Sequence, residues 1–192
     1  MHLKSLEDFL SKRKRRVIPV NGYKPAASLV PLAINEKIFL LITKRAAHLK
    51  NHPGQFSFPG GHIEKNEQPL KAALREAEEE VGISQKDIRI IGALDDVVSV
   101  TNFHLTPFVG VVPYSEHYDF DKNEVECVHL IPLSFFLNEP KTANYYWQGE
   151  VKPSFVYDYK DMRIFGVTAY VIKNFVEILK KSGFINANRA LI

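Results

Sequence analysis

Three carboxylates crowd one short segment of the chain, because Glu76, Glu79 and Glu80 fall within five consecutive positions. On a helix that turns by about 100° per residue, the three side chains share an arc of roughly 100°. At the edge of a cleft, with ~6 Å separations and an effective dielectric of ~20, each pair repels by roughly 3 kcal/mol. A divalent cation would remove that repulsion, and oxygen ligands suit Mg²⁺ or Mn²⁺ rather than zinc. The acids indicate either such a metal site or a solvated acidic helix face.

The neighbouring residues predict the helix that carries these acids. Pro69 suits the first helical position, where its missing N–H is not needed. Gly82 suits the left-handed position that ends a helix. Arg75 precedes Glu79 by four positions and can pair with it along the helix. Apolar residues recur between the two ends at helical spacing, so one stripe is expected to face a core. These apolar residues are Leu70, Ala73, Leu74, Ala77 and Val81.

The spacing around the helix resembles a complete Nudix box. Gly61 is followed after five residues by Glu67, and after seven more by the segment Arg75–Ile83. Every invariant polar position and glycine of that pattern is filled, and the one departure is Ala77, where a larger aliphatic residue is usual. The resemblance implies a pyrophosphohydrolase that acts on a nucleoside diphosphate linked to another group and uses a divalent metal.

The same resemblance implies a role for each polar residue of the box. The metal would be held by glutamates, with a backbone carbonyl as a further ligand, and one glutamate would act as the general base. An arginine and a glutamate would orient these groups. The implied ligands are Glu76, Glu79, Glu80 and the Gly61 carbonyl, and the implied orienting residues are Glu67 and Arg75. The choice of Glu79 as the base is our own prediction from the proposed reaction and does not come from the resemblance.

A second motif precedes the box and resembles the signature of the coenzyme A pyrophosphatase branch of the Nudix family. The matching positions are Leu41–Ala46, Gly54 and Phe58–Gly61. Lys50 stands where the branch has arginine, and lysine keeps the charge but loses the bidentate fork for phosphate. The resemblance implies that coenzyme A or an acyl derivative is cut to 3′,5′-ADP and 4′-phosphopantetheine.

The candidate substrate-binding residues lie between the predicted strand Ile38–Thr43 and the helix that begins at Pro69. Cations there would neutralise a polyphosphate and stabilise charge that develops on its oxygens. Glycines would allow close backbone approach. The aromatic residue of the segment either packs in the core or stacks on a base. The candidates are Lys44, Arg45, Lys50, Gly54, Phe58 and Gly60.

Composition excludes several classes of protein. The chain has 192 residues, 45% of them hydrophobic and 24% charged, and a net charge of +3, which does not indicate a nucleic-acid partner. A single cysteine, Cys127, excludes an internal disulfide framework and a zinc finger. No run approaches the ~18 apolar residues of a membrane span. Glu7 and Asp8 precede the first basic run without an apolar segment, so no secretory signal is expected. We expect a cytoplasmic monomer or homodimer with a small-molecule substrate and no membrane partner.

Apolar segments on both sides of the acidic helix predict the fold. Ala26–Ile34 and Ile38–Thr43 are typical of buried strands, and Pro31 predicts an edge or bulge in the first of them. A helix over about Thr168–Lys181 is expected near the end. The fold class is therefore α/β, a Nudix-type α/β/α sandwich around a mixed, curved sheet. One domain should span residues 1–192, with residues 1–20 as an N-terminal helix and basic segment before the core.

Several other polar groups have open interpretations. The basic run Lys12–Arg16 is expected to be a solvated linker, with a nucleic-acid patch or a tether for an anionic surface as alternatives. Asp95 and Asp96 are expected to cap or to lie at the surface, and His104 to lie at the surface. Glu124 is a candidate further ligand or base.

An aromatic hairpin is predicted from Tyr145–Trp147 and Phe155–Tyr157, with packing as its main role and a substrate wall as the alternative.

Two other functions remain open. The first is the same chemistry on ADP-ribose or a dinucleotide. The second is a binding protein on a Nudix scaffold that holds RNA through the basic run. A binding protein would be expected to have lost box glutamates, and this chain keeps them all.

Overall fold

The computed structural model describes residues 3–19, 22–147, 149–190 and 192. Its helices are α1 (Lys4–Lys12), α2 (Pro69–Val81), α3 (Leu133–Phe136), α4 (Gly166–Lys181) and α5 (Phe184–Ala187), with a 3₁₀ turn at Gln85–Asp87. Its strands are β1 (Lys24–Ile34), β2 (Ile38–Arg45), β3 (Phe56–Ser57), β4 (Gly60–His62), β5 (Arg89–Ala93), β6 (Val97–Val98), β7 (Phe103–Val112), β8 (Val125–Pro132), β9 (Lys141–Trp147), β10 (Glu150–Tyr159) and β11 (Met162–Phe165). None of the helices within these described residues is long and apolar enough to cross a membrane.

The main sheet is mixed, and β1 lies at its centre. Its strand order is β3-β2-β1-β7-β5, with β4 paired to β1, β6 to β7 and β8 to β2. The β1–β7 pair is parallel, while β2 and β4 pair with β1 in the antiparallel sense. The predicted α/β class with a mixed sheet is therefore confirmed.

Pro31 does not mark a sheet edge, and that prediction was wrong. β1 pairs with β7 from Lys24 to Ala33, which includes Pro31. On its other side it changes partner, from β4 at residues 26–28 to β2 at residues 32–34. Pro31 lies in the gap between these two partners, where its missing N–H removes no ladder hydrogen bond.

Side chains alternate between the two faces of this sheet and pack against helices on both. One face meets α2, and the apolar residues on that side include Leu29, Ala33, Leu41, Ala77 and Val81. The other face meets α1 and α4, and its core includes Leu6, Leu32, Leu40, Ile42, Ile172 and Phe175. The sheet thus lies between helical layers, and α2 is held by its apolar stripe.

A second, three-stranded sheet has the order β11-β10-β9. The predicted aromatic hairpin is confirmed at the level of the backbone, because Trp147 pairs with Glu150 in an antiparallel register. The side chains of residues 145–147 lie outside the described part of the chain. The third strand, Met162–Phe165, was not predicted, and α4 starts at Gly166, slightly earlier than expected.

The end of α2 gives a prediction about stability. Gly82 has φ 66°, and a Cβ placed on it would lie 2.3 Å from the Asp119 carbonyl oxygen. Gly183 has a similar φ of 73° with nothing within 4 Å of such a Cβ. Gly183→Ala should lower the free energy of unfolding by roughly 1–2 kcal/mol through backbone strain alone. Gly82→Ala should cost about 1–3 kcal/mol more, because the Asp119 backbone must also move.

Urea unfolding of the two variants measures this difference. Equal losses for Gly82→Ala and Gly183→Ala would show that the Asp119 segment does not press on the end of α2.

Candidate functional site

Arg75 connects most of the polar groups at the start of the acidic cluster. Its Nε donates to Glu67 Oε1 at 3.0 Å, and its Nη2 donates to Glu67 Oε2 at 3.2 Å and to the His62 carbonyl at 3.0 Å. Its Nη1 donates to Glu76 Oε1 at 2.7 Å and to Glu79 Oε2 at 2.9 Å. One guanidinium thus binds three carboxylates and fixes α2 to the loop before it.

Glu67 is the most firmly held of these acids. It accepts both forked hydrogen bonds from Arg75 and a further one from the Glu64 backbone N–H at 2.9 Å. The Arg75 hydrogen bonds, followed by that N–H, hold the pKa of Glu67 below its ordinary value. The Glu67 carboxylate in turn raises the pKa of Arg75. Glu67 and Arg75 therefore lie in direct contact, and both stay charged.

Glu80 is the exception in the cluster because its burial is only partly compensated. It is 5% exposed, and its Oε2 atom has no hydrogen-bond partner within the described residues. Burial, followed by the negative charge of Glu76, raises the pKa of Glu80 to about 8. Arg45 and the Gly60 N–H act in the opposite direction. A buried carboxyl of this kind favours any additional positive charge beside it.

Glu76 lies between Arg75 and the glycines of β4. Burial raises the pKa of Glu76 more than the Arg75 hydrogen bond lowers it. A Cβ on Gly61 would lie 2.5 Å from the Glu76 carboxyl carbon, and one on Gly60 would lie 2.5 Å from the Ala27 carbonyl oxygen. Only glycines let β4 lie this close to both the Glu76 carboxyl and the backbone of β1. Gly61 therefore lies directly against Glu76, a predicted ligand. Gly60 lacks a side chain because β1 lies too close to leave room for one.

The side chains of the predicted metal ligands do not point towards one common position. Within the described residues, no group of three or more His, Cys, Asp or Glu side chains is arranged closely enough to hold a metal ion. Glu76 and Glu79 both contact Arg75, and the Glu79 side chain is 60% exposed. The donor set nevertheless suits a hard cation, because it consists of carboxylates and one of them, Glu80, is buried with an unpaired oxygen.

Glu124 lies close to this cluster from the opposite side. Its charge helps to raise the pKa of both Glu76 and Glu80. Its carbonyl oxygen accepts a hydrogen bond from the Ala46 N–H at 2.9 Å, which ties the start of β8 to the end of β2. The sequence-based candidate Glu124 thus faces the same acids as the predicted ligands.

The predicted basic residues separate onto two faces of the sheet. Leu41 packs against α2 and Ile42 packs on the other side, so alternation places Arg45 on the α2 face and Lys44 away from it. Arg45 accordingly acts on Glu80. Lys44 instead donates to Glu126 Oε1 at 2.6 Å. Lys50 is exposed in the loop that follows β2.

The remaining two candidates, Gly54 and Phe58, support the structure around the site. Gly54 donates its N–H to the Arg45 carbonyl at 3.1 Å, which closes the loop after β2. Phe58 is 6% exposed and packs in the core with α1 and α4, so its ring faces are covered. The packing interpretation of Phe58 agrees with this position, and base stacking does not.

Cys127 is half-buried in β8. Its Sγ lies 3.1 Å from His129 Nε2. Burial raises the pKa of the Cys127 thiol and lowers the pKa of His129, so the neutral forms of both are favoured. This pair lacks the thiolate that a nucleophile needs.

The basic run Lys12–Arg16 is not simply a solvated linker, because two of its arginines form ion pairs. Their partners are Asp95 and Asp96, which were expected from the sequence to cap or to lie at the surface. Arg13 Nη1 donates to Asp95 Oδ1 at 2.7 Å, and Arg15 Nη1 donates to Asp96 Oδ1 at 2.6 Å. Arg16 and Asp96 also pair through their backbones. The run therefore docks along the edge that follows β5, a pairing across about 80 residues of sequence.

Asp96 and His104 are buried, so their predicted surface positions were wrong. Asp96 is 0% exposed and His104 is 4% exposed. Asp96 accepts hydrogen bonds from the Ile18 N–H at 2.9 Å and from Thr106 Oγ1 at 3.0 Å, and its Oδ2 lies 3.1 Å from His104 Nε2. Sequence reasoning missed this network, because Arg13 and Arg15 are about 80 residues from Asp95 and Asp96 and no local pattern links them.

Known proteins resemble this chain in sequence and fold. The NUDIX domain family matches residues 22–146. A protein named Uncharacterized Nudix hydrolase NudL from Enterobacter sp. (strain 638) is 45% identical over 138 residues, covering 69% of this chain and 72% of that protein. Its namesake from Citrobacter koseri is 37% identical over 176 residues, covering 88% of this chain and 92% of that protein.

Two solved structures share the fold at low identity. The MutT protein from Methanosarcina mazei Go1 has a TM-score of 0.50 and 17% identity, over 85% of this chain and 96% of that chain. The Nudix hydrolase RenU from M. smegmatis has a TM-score of 0.50 and 19% identity, over 59% of this chain and 73% of that chain.

The Asp96 network predicts a loss of stability in acid. Burial acts to raise the pKa of Asp96, but the Ile18 N–H and Arg15 outweigh it and hold the pKa below its ordinary value of 3.8. A lowered folded pKa contributes stability above pH 3.8, and that contribution is lost as the pH falls through the folded value. Asp96→Asn should cost about 3–5 kcal/mol at pH 7, because it leaves Arg15 without its buried partner.

Urea unfolding at pH 7 and at lower pH values tests this. Asp95→Asn is the matched control, because the Asp95 side chain is 29% exposed, and it should cost much less. Similar losses for both variants would contradict the buried network.

Proposed function

This chain belongs to the NUDIX domain family, and from that premise we propose that it hydrolyses the pyrophosphate bond of coenzyme A or of an acyl derivative. Water forms a new P–O bond at one phosphorus while the bridging P–O bond breaks, and the two proton equivalents of water end on the products or in solvent. The products are 3′,5′-ADP and 4′-phosphopantetheine or its acyl form. The choice of substrate rests on the signature over Leu41–Gly61.

The observation that carries the proposed chemistry is the buried Glu80 carboxyl beside Glu76, whose Oε2 atom lacks a hydrogen-bond partner within the described residues. Nudix hydrolases generally use divalent metal ions. We assign Glu76, Glu79, Glu80 and the Gly61 carbonyl as the groups that would hold Mg²⁺ or Mn²⁺. The chemistry supplied by such an ion is polarisation of phosphoryl oxygens and a lower pKa for the attacking water.

Arg75 has two separable tasks in this proposal. Its Nη1 neutralises Glu76 and Glu79, and these contacts must loosen if both carboxylates turn towards a cation. Its Nε and Nη2 hold Glu67 and the His62 carbonyl. This second set of contacts can keep α2 in register with β4 while the first set opens.

The other polar residues divide the remaining work. Glu79 has the exposed carboxylate that can take the proton from water, and it is our proposed general base. Arg45 faces the cluster and is proposed to bind a substrate phosphate, with Lys50 on the adjoining loop as a second cation. Lys44 would first have to leave Glu126, so its contribution to phosphate binding is the weakest of the three.

Hydrolysis of ADP-ribose or another nucleoside diphosphate derivative is the second candidate, and Lys50 favours it. Lysine at this position lacks the fork that arginine offers to a phosphate. RNA binding through the basic run gains no such support, because Arg13 and Arg15 are paired with Asp95 and Asp96.

A side-by-side turnover assay tests the substrate. Purified protein with Mg²⁺ or Mn²⁺ should convert coenzyme A to 3′,5′-ADP and 4′-phosphopantetheine faster than it cleaves ADP-ribose, as measured by chromatography of the products. Intact coenzyme A under conditions that cleave ADP-ribose would reject the coenzyme A assignment and leave the pyrophosphatase chemistry.

The ligand assignment predicts different effects for two neighbouring glutamates. Glu80→Gln keeps the shape and removes the charge, so turnover should fall at least about 100-fold, since even outer-shell partners of metal ligands are worth about 10–100-fold. Glu78→Gln is the control, because the Glu78 side chain is exposed and accepts a hydrogen bond from Gln85 Nε2 at 2.7 Å, away from Arg75.

Both variants should keep the circular dichroism spectrum of the unmodified protein. Undiminished turnover in a folded Glu80→Gln variant would refute the assignment of Glu80.

A further inference from the structure

A groove of about 460 Å³ opens between the turn after β2 and the segment before β8. Its volume lies within the ~300–1,000 Å³ that is usual for small-molecule sites. Its walls are largely apolar, and one aromatic ring is half-buried in them. The residues that line it include Ala46, Ala47, His48, Phe120, Lys122 and Val125.

Both walls of the groove are connected to elements that carry residues of the site. The Asp121 N–H donates to the Glu80 carbonyl at 3.1 Å, and the Asp119 carbonyl lies against Gly82. Phe120 lies between these two anchors, beside the C-terminal end of α2. The opposite wall begins with Ala46, the residue that follows Arg45. The groove therefore lies beside the end of α2 that carries Glu79 and Glu80.

The charges around the groove complement a phosphate-bearing ligand. His48 and Lys122 supply donors at its lining, and Lys50 is exposed on the same loop as His48. Glu126 also lines the groove, and its carboxylate is already paired with Lys44 at 2.6 Å. A flat, apolar ring with an attached phosphate matches this combination of an aromatic wall and a basic rim.

We propose that this groove binds the purine ring of the nucleotide half of the substrate, with Phe120 as its stacking surface and Lys122 at its phosphates. The inference rests on the proposed function, which places the pyrophosphate bond at Glu76 and Glu80. It makes Phe120 a specificity-determining residue, in place of the buried Phe58. The other half of the substrate then leaves the cluster on the side away from the groove.

Calorimetric titration with ADP and with inorganic pyrophosphate, both with Mg²⁺ present, separates the base from the phosphates. Phe120→Ala should weaken ADP binding about tenfold or more, since a base loses its stacking partner. Pyrophosphate affinity should stay unchanged. Phe120→Trp should retain ADP binding, because it keeps an aromatic face.

Two further variants keep the test decisive if Phe120→Ala folds poorly. Ala47 is exposed at the groove, so Ala47→Leu should fill the groove and weaken ADP binding without affecting pyrophosphate. Phe165→Ala is the control, because Phe165 is 39% exposed on β11 and does not line the groove. It should change neither affinity.

Unchanged ADP binding in folded Phe120→Ala and Ala47→Leu variants would overturn the inference. A raised KM for coenzyme A in Phe120→Ala with unaltered ADP binding would also overturn it, and would assign the groove to the pantetheine half. If the unmodified protein leaves coenzyme A intact while these variants lose ADP affinity, the proposed substrate fails and the purine subsite stands.

Discussion

The site depends on an excess of negative charge that the protein itself only partly neutralises. Arg75 binds the carboxylates of Glu67, Glu76 and Glu79, so one guanidinium serves three acids. Glu80 lies deeper, with an oxygen that lacks a partner in the described structure. Charges in such partly buried positions interact more strongly than exposed ones, because water screens them less. The cluster is thus a place where a hard cation would be stabilised.

The fold holds the acids in this unfavourable arrangement through contacts that carry no charge. Ala77 and Val81 fix α2 to the sheet, and the Asp119 segment closes over Gly82 at its end. Gly61 lets β4 approach the Glu76 carboxyl closely. Apolar packing and two glycines therefore offset the repulsion among the glutamates, and the helix cannot turn to relieve it.

Sequence patterns over a few turns of helix were enough to predict α2. The bounds of α2, its buried stripe and the pairing of Arg75 with Glu79 follow from helical periodicity and from Pro69 and Gly82. Long-range pairing was harder to predict. The contact of Arg15 with Asp96 spans 81 residues, and no local pattern shows that the two segments meet. In the sequence, Lys44 and Arg45 are two adjacent cations with the same expected role. Only the alternation of side chains along β2 shows that Arg45 faces α2 and Lys44 faces away from it.

Direct titration of Mn²⁺ into metal-free protein, without substrate and followed by electron paramagnetic resonance, tests the central claim that the acidic cluster attracts a divalent cation. We expect saturable binding that Mg²⁺ displaces and that a Glu76→Gln, Glu80→Gln double variant loses while it stays folded. Equal Mn²⁺ affinity in the double variant and the unmodified protein would contradict it.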